Sequence, residues 1–238
     1  MKSLVKSAVR KASRAVLQDA IFRRPRGDSF DVLDIAFFSA AMDSARFYEE
    51  FMLTAGAFDT DLLLLSHAMS IAPANGLILE FGVASGRTIR HIAGLTKRDI
   101  HGFDSFEGLP ESWRTGFAQG SFAQPLPAVP DHVSLHKGWF SETLPSFMQT
   151  RHDPVALLHI DCDLYSSTAF VLNALADRIG PGTVLVFDEY LNYPGWKQHE
   201  HKAFQELVAK TGLTFRFDSF VPSHQQVCLV ITGESAHA

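Results

Sequence analysis

Leu77-Ile78-Leu79-Glu80-Phe81-Gly82-Val83-Ala84-Ser85-Gly86-Arg87-Thr88 runs from an apolar stretch of strand length, through a glycine turn, into a helix start. Gly82 and Gly86 let backbone approach a ligand where a Cβ would clash. Glu80 stands near the strand end, where α/β proteins place ligand-contacting groups. The spacing is E-x-G-x-x-x-G. A dinucleotide-binding turn is G-x-G-x-x-G, because pyrophosphate must sit on the helix N-terminus. An acidic residue at this turn repels pyrophosphate and suits an ammonium group, such as that of a methionine moiety.

Downstream, short apolar runs alternate with helical stretches, which predicts βαβ units and a parallel sheet. Strands are expected at Leu77–Phe81, Ile100–Phe103, Val133–His136, Val155–Ile160 and Thr183–Phe187. Helices are expected at about Arg87–Leu95, Ser141–Gln149, Ser166–Ile179 and Gln198–Thr211. The last two apolar runs, Leu213–Phe220 and Gln225–Thr232, are joined by a connection too short for a helical crossover, so they should pair antiparallel. The fold class is therefore α/β: five parallel strands with helices, finished by an antiparallel hairpin. A plain dinucleotide-binding domain would finish with another parallel unit. The irregular stretch 116–130 carries Gly, Ser, Gln and three prolines, the kind of long loop that often serves as a lid.

Upstream of Pro73 the pattern is helical. Residues 1–72 are read as a helical extension for cap or oligomer contacts, and 73–238 as the ligand-binding domain. Asp31 to about Leu53 is one helix, and a second starts from a cap at Asp59 or Thr60 and runs to Ile71. The first twenty-odd residues form an acid-poor, basic amphipathic pattern. It suits a helix packed on its own domain or on a second subunit, with a membrane-surface or targeting role as the alternative. Arg23-Arg24-Pro25-Arg26-Gly27 separates that pattern from the helix expected at Asp31.

With 238 residues, 46% of them hydrophobic and 20 of them Phe, the chain can bury an aromatic-rich core. A net charge of −5 leaves no basic field for a nucleic-acid backbone. Cys162 and Cys228 lie in apolar runs, which predicts free buried thiols in a reducing, cytoplasmic compartment. No apolar run reaches the length of a membrane span.

Three further strand ends carry chemistry. The second strand ends in Phe103-Asp104-Ser105, and Asp104 follows Glu80 at close to the roughly 20-residue interval of a ribose-gripping carboxylate. A cap on the next turn is the plainer role. After the third strand, Gly138-Trp139-Phe140 offers an aromatic face for an adenine, although Trp139 also suits a core position. The fourth strand ends in Asp161-Cys162-Asp163 and the fifth in Asp188-Glu189-Tyr190. As neighbours roughly 4.8 Å apart, these strands bring several carboxylates together. Such a cluster is costly without a cation, and an all-oxygen set suits Mg²⁺. Otherwise, Asp163 would cap the following helix and Asp161 would take backbone or cofactor hydrogen bonds. Gly82, Ser85, Gly86, Ser105 and Phe140 complete the expected cofactor set.

The stretches LEFGVASGRT, FDSFEGLPE, KGWFSETLP, HIDCDLYSST and FDEYLNYPGW, from Leu79 to about Trp196, resemble the macrocin O-methyltransferase group of class I enzymes. That resemblance implies a Rossmann-like class I methyltransferase sheet. It also implies S-adenosylmethionine as methyl donor, frequent Mg²⁺ dependence, and a small-molecule hydroxyl acceptor on a sugar or other natural-product intermediate. By position, the metal ligands would be Asp161 and Asp188, with Glu189 where the family often has a second Asp, and Asp163 as the next candidate. Asp161 would also serve in catalysis and touch the cofactor. His199 and His201, which come after the fifth strand, are candidates for the base that takes the acceptor proton. A non-catalytic binding module and a nicotinamide-dependent oxidoreductase are the alternatives, the latter disfavoured by the glycine spacing.

Overall fold

A computed structural model of the protein describes residues 30–234. The expected N-terminal helix and the break at Arg23–Gly27 lie outside the described residues. Eight strands form one sheet: β1 (Gly56–Ala57), β2 (Leu77–Phe81), β3 (Ile100–Asp104), β4 (Val133–Lys137), β5 (Val155–Ile160), β6 (Val184–Phe187), β7 (Leu213–Phe220) and β8 (Val227–Glu234). Their order is β1-β7-β8-β6-β5-β2-β3-β4. Strands β2 to β6 run parallel, and β8 is antiparallel to both β6 and β7, as the hairpin expectation required. The two-residue β1, which pairs parallel with β7, was not foreseen.

Six helices flank the sheet: α1 (Val32–Phe51), α2 (Asp61–Ile71), α3 (Arg87–Leu95), α4 (Phe140–Thr150), α5 (Tyr165–Leu175) and α6 (Glu200–Thr211). Strands β2, β5 and β6 are buried along their whole length, which is why they read as unbroken apolar runs. Because side chains alternate along a strand, Leu77, Leu79 and Phe81 enter a core shared with α4, α5 and α6. Ile78 enters the opposite core with Leu64, Leu65, Ile89 and Ile92 of α2 and α3.

The division expected at residue 72 does not separate two bodies. β1 belongs to the sheet and α2 supplies one of its cores. Asp31 caps α1 by accepting from the Leu33 N–H at 2.8 Å, and Thr60 rather than Asp59 caps α2. On its inner face α1 packs Phe47 against Tyr190, Trp196, His201 and Phe217. The Ser44 hydroxyl accepts from the Asn192 N–H at 2.9 Å. The extension thus braces the segment that leaves β6, while Val32, Phe37, Met42 and Leu53 remain exposed. Cys162 and Cys228 are free and buried. Among the described residues no helix is long and apolar enough to cross a membrane.

Candidate active site

A cavity of about 610 Å³ opens at the carboxyl ends of β2, β3, β5 and β6. In open α/β sheets this is where ligands enter, at the point where the strand order reverses. One wall is the turn after β2. Gly82 has φ +93, and a Cβ there would collide with the Asp161 carbonyl, so only glycine fits. Gly86, at φ +77, begins α3 and supports the turn without bordering the cavity. Asp104 ties the turn down. Its Oδ2 accepts from the N–H groups of Val83 (2.8 Å) and Ala84 (2.7 Å), and its Oδ1 from that of Phe106 (2.6 Å). Both roles weighed for Asp104 are therefore compatible with its place: it caps the next turn and it faces the cavity. The Ser105 hydroxyl accepts from the Glu107 N–H at 3.1 Å.

Ser85, Ser105, Trp139 and Phe140 also border the cavity, with Phe140 edge-on to Phe81 at 5.2 Å. Glu80 does not. It shares the strand parity of Ile78, so its carboxylate lies behind the turn, where Thr88 Oγ1 donates to it at 3.1 Å and His159 Nδ1 lies 2.9 Å away. The contact to an ammonium group expected of Glu80 is thus not open to it as it stands. The pair is fully buried; burial alone would lower the His159 pKa, but Glu80 outweighs it and the net direction is upward. Removing one member of such a pair typically costs about 3–5 kcal/mol.

The facing wall is acidic. Asp161, Asp163, Asp188 and Glu189 all border the cavity. Ligand atoms of Asp161, Asp163 and Glu189 lie within 4.8 Å of one another, as do those of His159, Asp161 and Asp188. Burial, then the Asp188 charge, pushes the Asp161 and Glu189 carboxyls well above the usual range. The same two causes raise Asp163 to about 7, against the pull of Arg114. Asp163 does not cap α5, whose cap position is Leu164, with no side-chain hydrogen bond. It sits at φ +61 and is buried.

These residues fit a hard divalent ion. Glu189 Oε2 and His159 Nε2 are buried without a hydrogen-bond partner, and carboxylate oxygens this close need a cation between them. His159, with Nδ1 on Glu80, has the carboxylate–histidine arrangement that orients a metal-facing Nε2. Sequence reading missed His159 because it looked like one more residue of a buried strand. It also missed Ser166, Ser167 and Phe170 of α5 as cavity residues, although the Tyr165-Ser166-Ser167 run comes directly after the acidic turn.

Neither histidine expected to act as the base borders the cavity. His201 points back towards α1, between Tyr190 (5.0 Å) and Trp196 (4.9 Å), and burial lowers its pKa to about 4. His199 packs near Trp113 and Tyr193, both at 6.2 Å. The start of α6 turns these side chains into the aromatic packing beyond β6.

The strand order and cavity define the class I methyltransferase fold. Residues 79–190 match the sequence family described as "Methyltransferase domain". The 8-demethyl-8-(2,3-dimethoxy-alpha-L-rhamnosyl)-tetracenomycin-C 4'-O-methyltransferase of Streptomyces olivaceus is 32% identical over 141 residues, covering 48% of this chain and 53% of its own. The mycinamicin III 3''-O-methyltransferase of Micromonospora griseorubida is 27% identical over 157 residues, covering 53% of this chain and 61% of its own. Among solved structures, calicheamicin methyltransferase CalS11 superposes with a TM-score of 0.58 at 25% identity, over 71% of this chain and 78% of its own. These matches bear out the resemblance drawn from the motifs. The chain spans little more than half the length of the curated relatives it matches.

Proposed function

We propose that the protein transfers a methyl group from S-adenosylmethionine to a hydroxyl of a sugar or other small natural-product intermediate, with Mg²⁺ bound at the acidic wall. One observation carries this reading: a single cavity joins the glycine turn and its Asp104 anchor to a set of converging carboxylates. Pure cofactor binding has no use for the second wall. The relatives' names, two of them sugar-directed O-methyltransferases, support the acceptor class.

Methyl transfer from sulfur to oxygen is an in-line displacement, so orientation supplies much of the rate. The donor brings the electrophilic methyl, and a divalent ion held by Asp161, Asp188 and Glu189, with Asp163 beside them, lowers the pKa of the acceptor hydroxyl. The chain does the rest. The Gly82–Ser85 turn, held by Asp104, positions the methionine and ribose portions, and Trp139 offers its face to the adenine. A carboxylate oxygen of Asp163 receives the acceptor proton, a role that geometry favours over His199 and His201. The exposed apolar side chains of α1 support the expected self-association.

Calorimetric titration with S-adenosylmethionine and with NAD, each with and without Mg²⁺, tests the reading. Micromolar affinity for the methyl donor, about −8 kcal/mol, is expected, and tighter binding of NAD overturns it. Excess EDTA should abolish transfer yet leave donor binding largely intact, with Mg²⁺ restoring activity. Full turnover by protein shown to be metal-free would remove the ion and leave the transferase reading standing.

A further inference from the structure

Beside the cavity, next to the turn after β6, several side chains gather buried polar atoms that hydrogen-bond to nothing among the described residues. They are Trp113 Nε1, Arg114 Nε and Nη1, Tyr193 OH and Glu189 Oε2. Trp113, Arg114 and Tyr193 form one cluster. The Arg114 guanidinium carbon stands 3.9 Å from the Trp113 ring centroid and 4.7 Å from that of Tyr193. The two rings are 5.7 Å apart, and Tyr193 is fully buried. The charges of Glu189 and Asp163, both on the cavity wall, act on Arg114.

Buried donors without acceptors are rare, and several at one cavity edge describe a site that a ligand completes. The unmet atoms include N–H donors on Trp113 and Arg114 and an acceptor on Glu189, with a Tyr193 hydroxyl that does both. Only a hydroxyl both accepts from the former and donates to the latter. An anion is disfavoured, because the Glu189 and Asp163 carboxylates offset the Arg114 charge. The planar guanidinium fork reaches two oxygens on adjacent carbons, and an indole flank suits the apolar face of a sugar ring.

We propose that Trp113, Arg114 and Tyr193 form an acceptor subsite that binds a vicinal diol of a neutral sugar ring. The inference rests on the transfer reaction proposed above: the subsite holds the sugar while the hydroxyl to be methylated enters the cavity.

The test uses the full chain with ¹⁵N-labelled indoles, of which the three tryptophans give one signal each. Trp113→Phe assigns the Trp113 signal. Methyl α-L-rhamnopyranoside is titrated with and without S-adenosylhomocysteine, whose own binding is first measured by calorimetry. A saturable shift of the Trp113 signal is expected while that of buried Trp196 stays in place. Arg114→Gln should weaken the sugar's apparent affinity at least about tenfold and leave the calorimetric affinity for S-adenosylhomocysteine unchanged. No shift at Trp113 overturns the subsite, as does an equal shift with tetrahydropyran, which lacks the diol. A shift with inorganic phosphate and none with the sugar overturns it in favour of an anion site. The wild-type titration decides the matter even if a variant fails to fold. Absent S-adenosylhomocysteine binding would instead count against the methyltransferase reading, and the sugar arm without it is read separately.

Discussion

Asp104 spends three hydrogen bonds on backbone, two of them on the turn that faces the donor. A carboxylate that organises a turn and also borders the cavity should matter for binding more than for folding. Asp104→Ala is expected to weaken S-adenosylmethionine at least about tenfold, read by calorimetry. A change within twofold would mean the turn keeps its shape unaided. At this scale the sequence was partly legible. The glycines, Asp104 and the Asp161 and Asp188 strand ends were found because their residue types are informative on a turn. The direction of Glu80 was not, because it depends on which sheet face carries α2 and α3. The role of His159 was hidden in the same way: its register partner across the sheet is Glu80, a relation between strands far apart in the chain.

Among the elements, β2 and β5 begin and end where the apolar runs do, since both are buried on each face. Boundaries drifted where tighter 3-10 turns take over, at Ala176–Arg178 and Trp196–Gln198. β1 was invisible because Gly56 and Ala57 become a strand only through Ser219 and Phe220 of β7. The irregular connection between β3 and β4 is held by its own contacts. The Leu109 N–H donates to the Ser121 carbonyl, the Gly120 N–H donates to the Leu109 carbonyl, and Phe117 stacks on Phe122 at 5.3 Å. Leu109, Pro110 and Phe122 then cover the cavity. A connection that roofs a ligand site yet joins the sheet by few bonds is expected to gate it. Amide hydrogen exchange over residues 116–130 should slow when donor and acceptor analogue are both bound. Equal exchange in both states would make the connection fixed scaffold.

Across the whole molecule, stability carries a histidine signature at the β3–β4 edge. His101 is buried against Phe147 at 4.8 Å and lies 3.3 Å from His136 Nε2. Burial first, then the neighbouring His136 and Arg151 charges, lowers its pKa from 6.5 to about 4. The unfolded chain therefore takes up a proton below pH 6.5 that the folded chain refuses until about pH 4, so stability falls as pH drops through that window. Allowing for screening, the loss from this group is about 1–2 kcal/mol. Urea midpoints at about pH 7 and about pH 5 should fall further apart for the wild type than for His101→Gln; equal spacing would place the acid sensitivity elsewhere. One contact has a bearing on how such a molecule can diversify. The Gly82 backbone rests against the Asp161 carbonyl, so the donor turn and the acidic turn share a wall with no spare thickness. An insertion in either displaces the other, and descendants must inherit the two as a unit. The connection between β3 and β4 has no such junction, so a lineage can exchange it and acquire a new acceptor while its donor chemistry stays as it was.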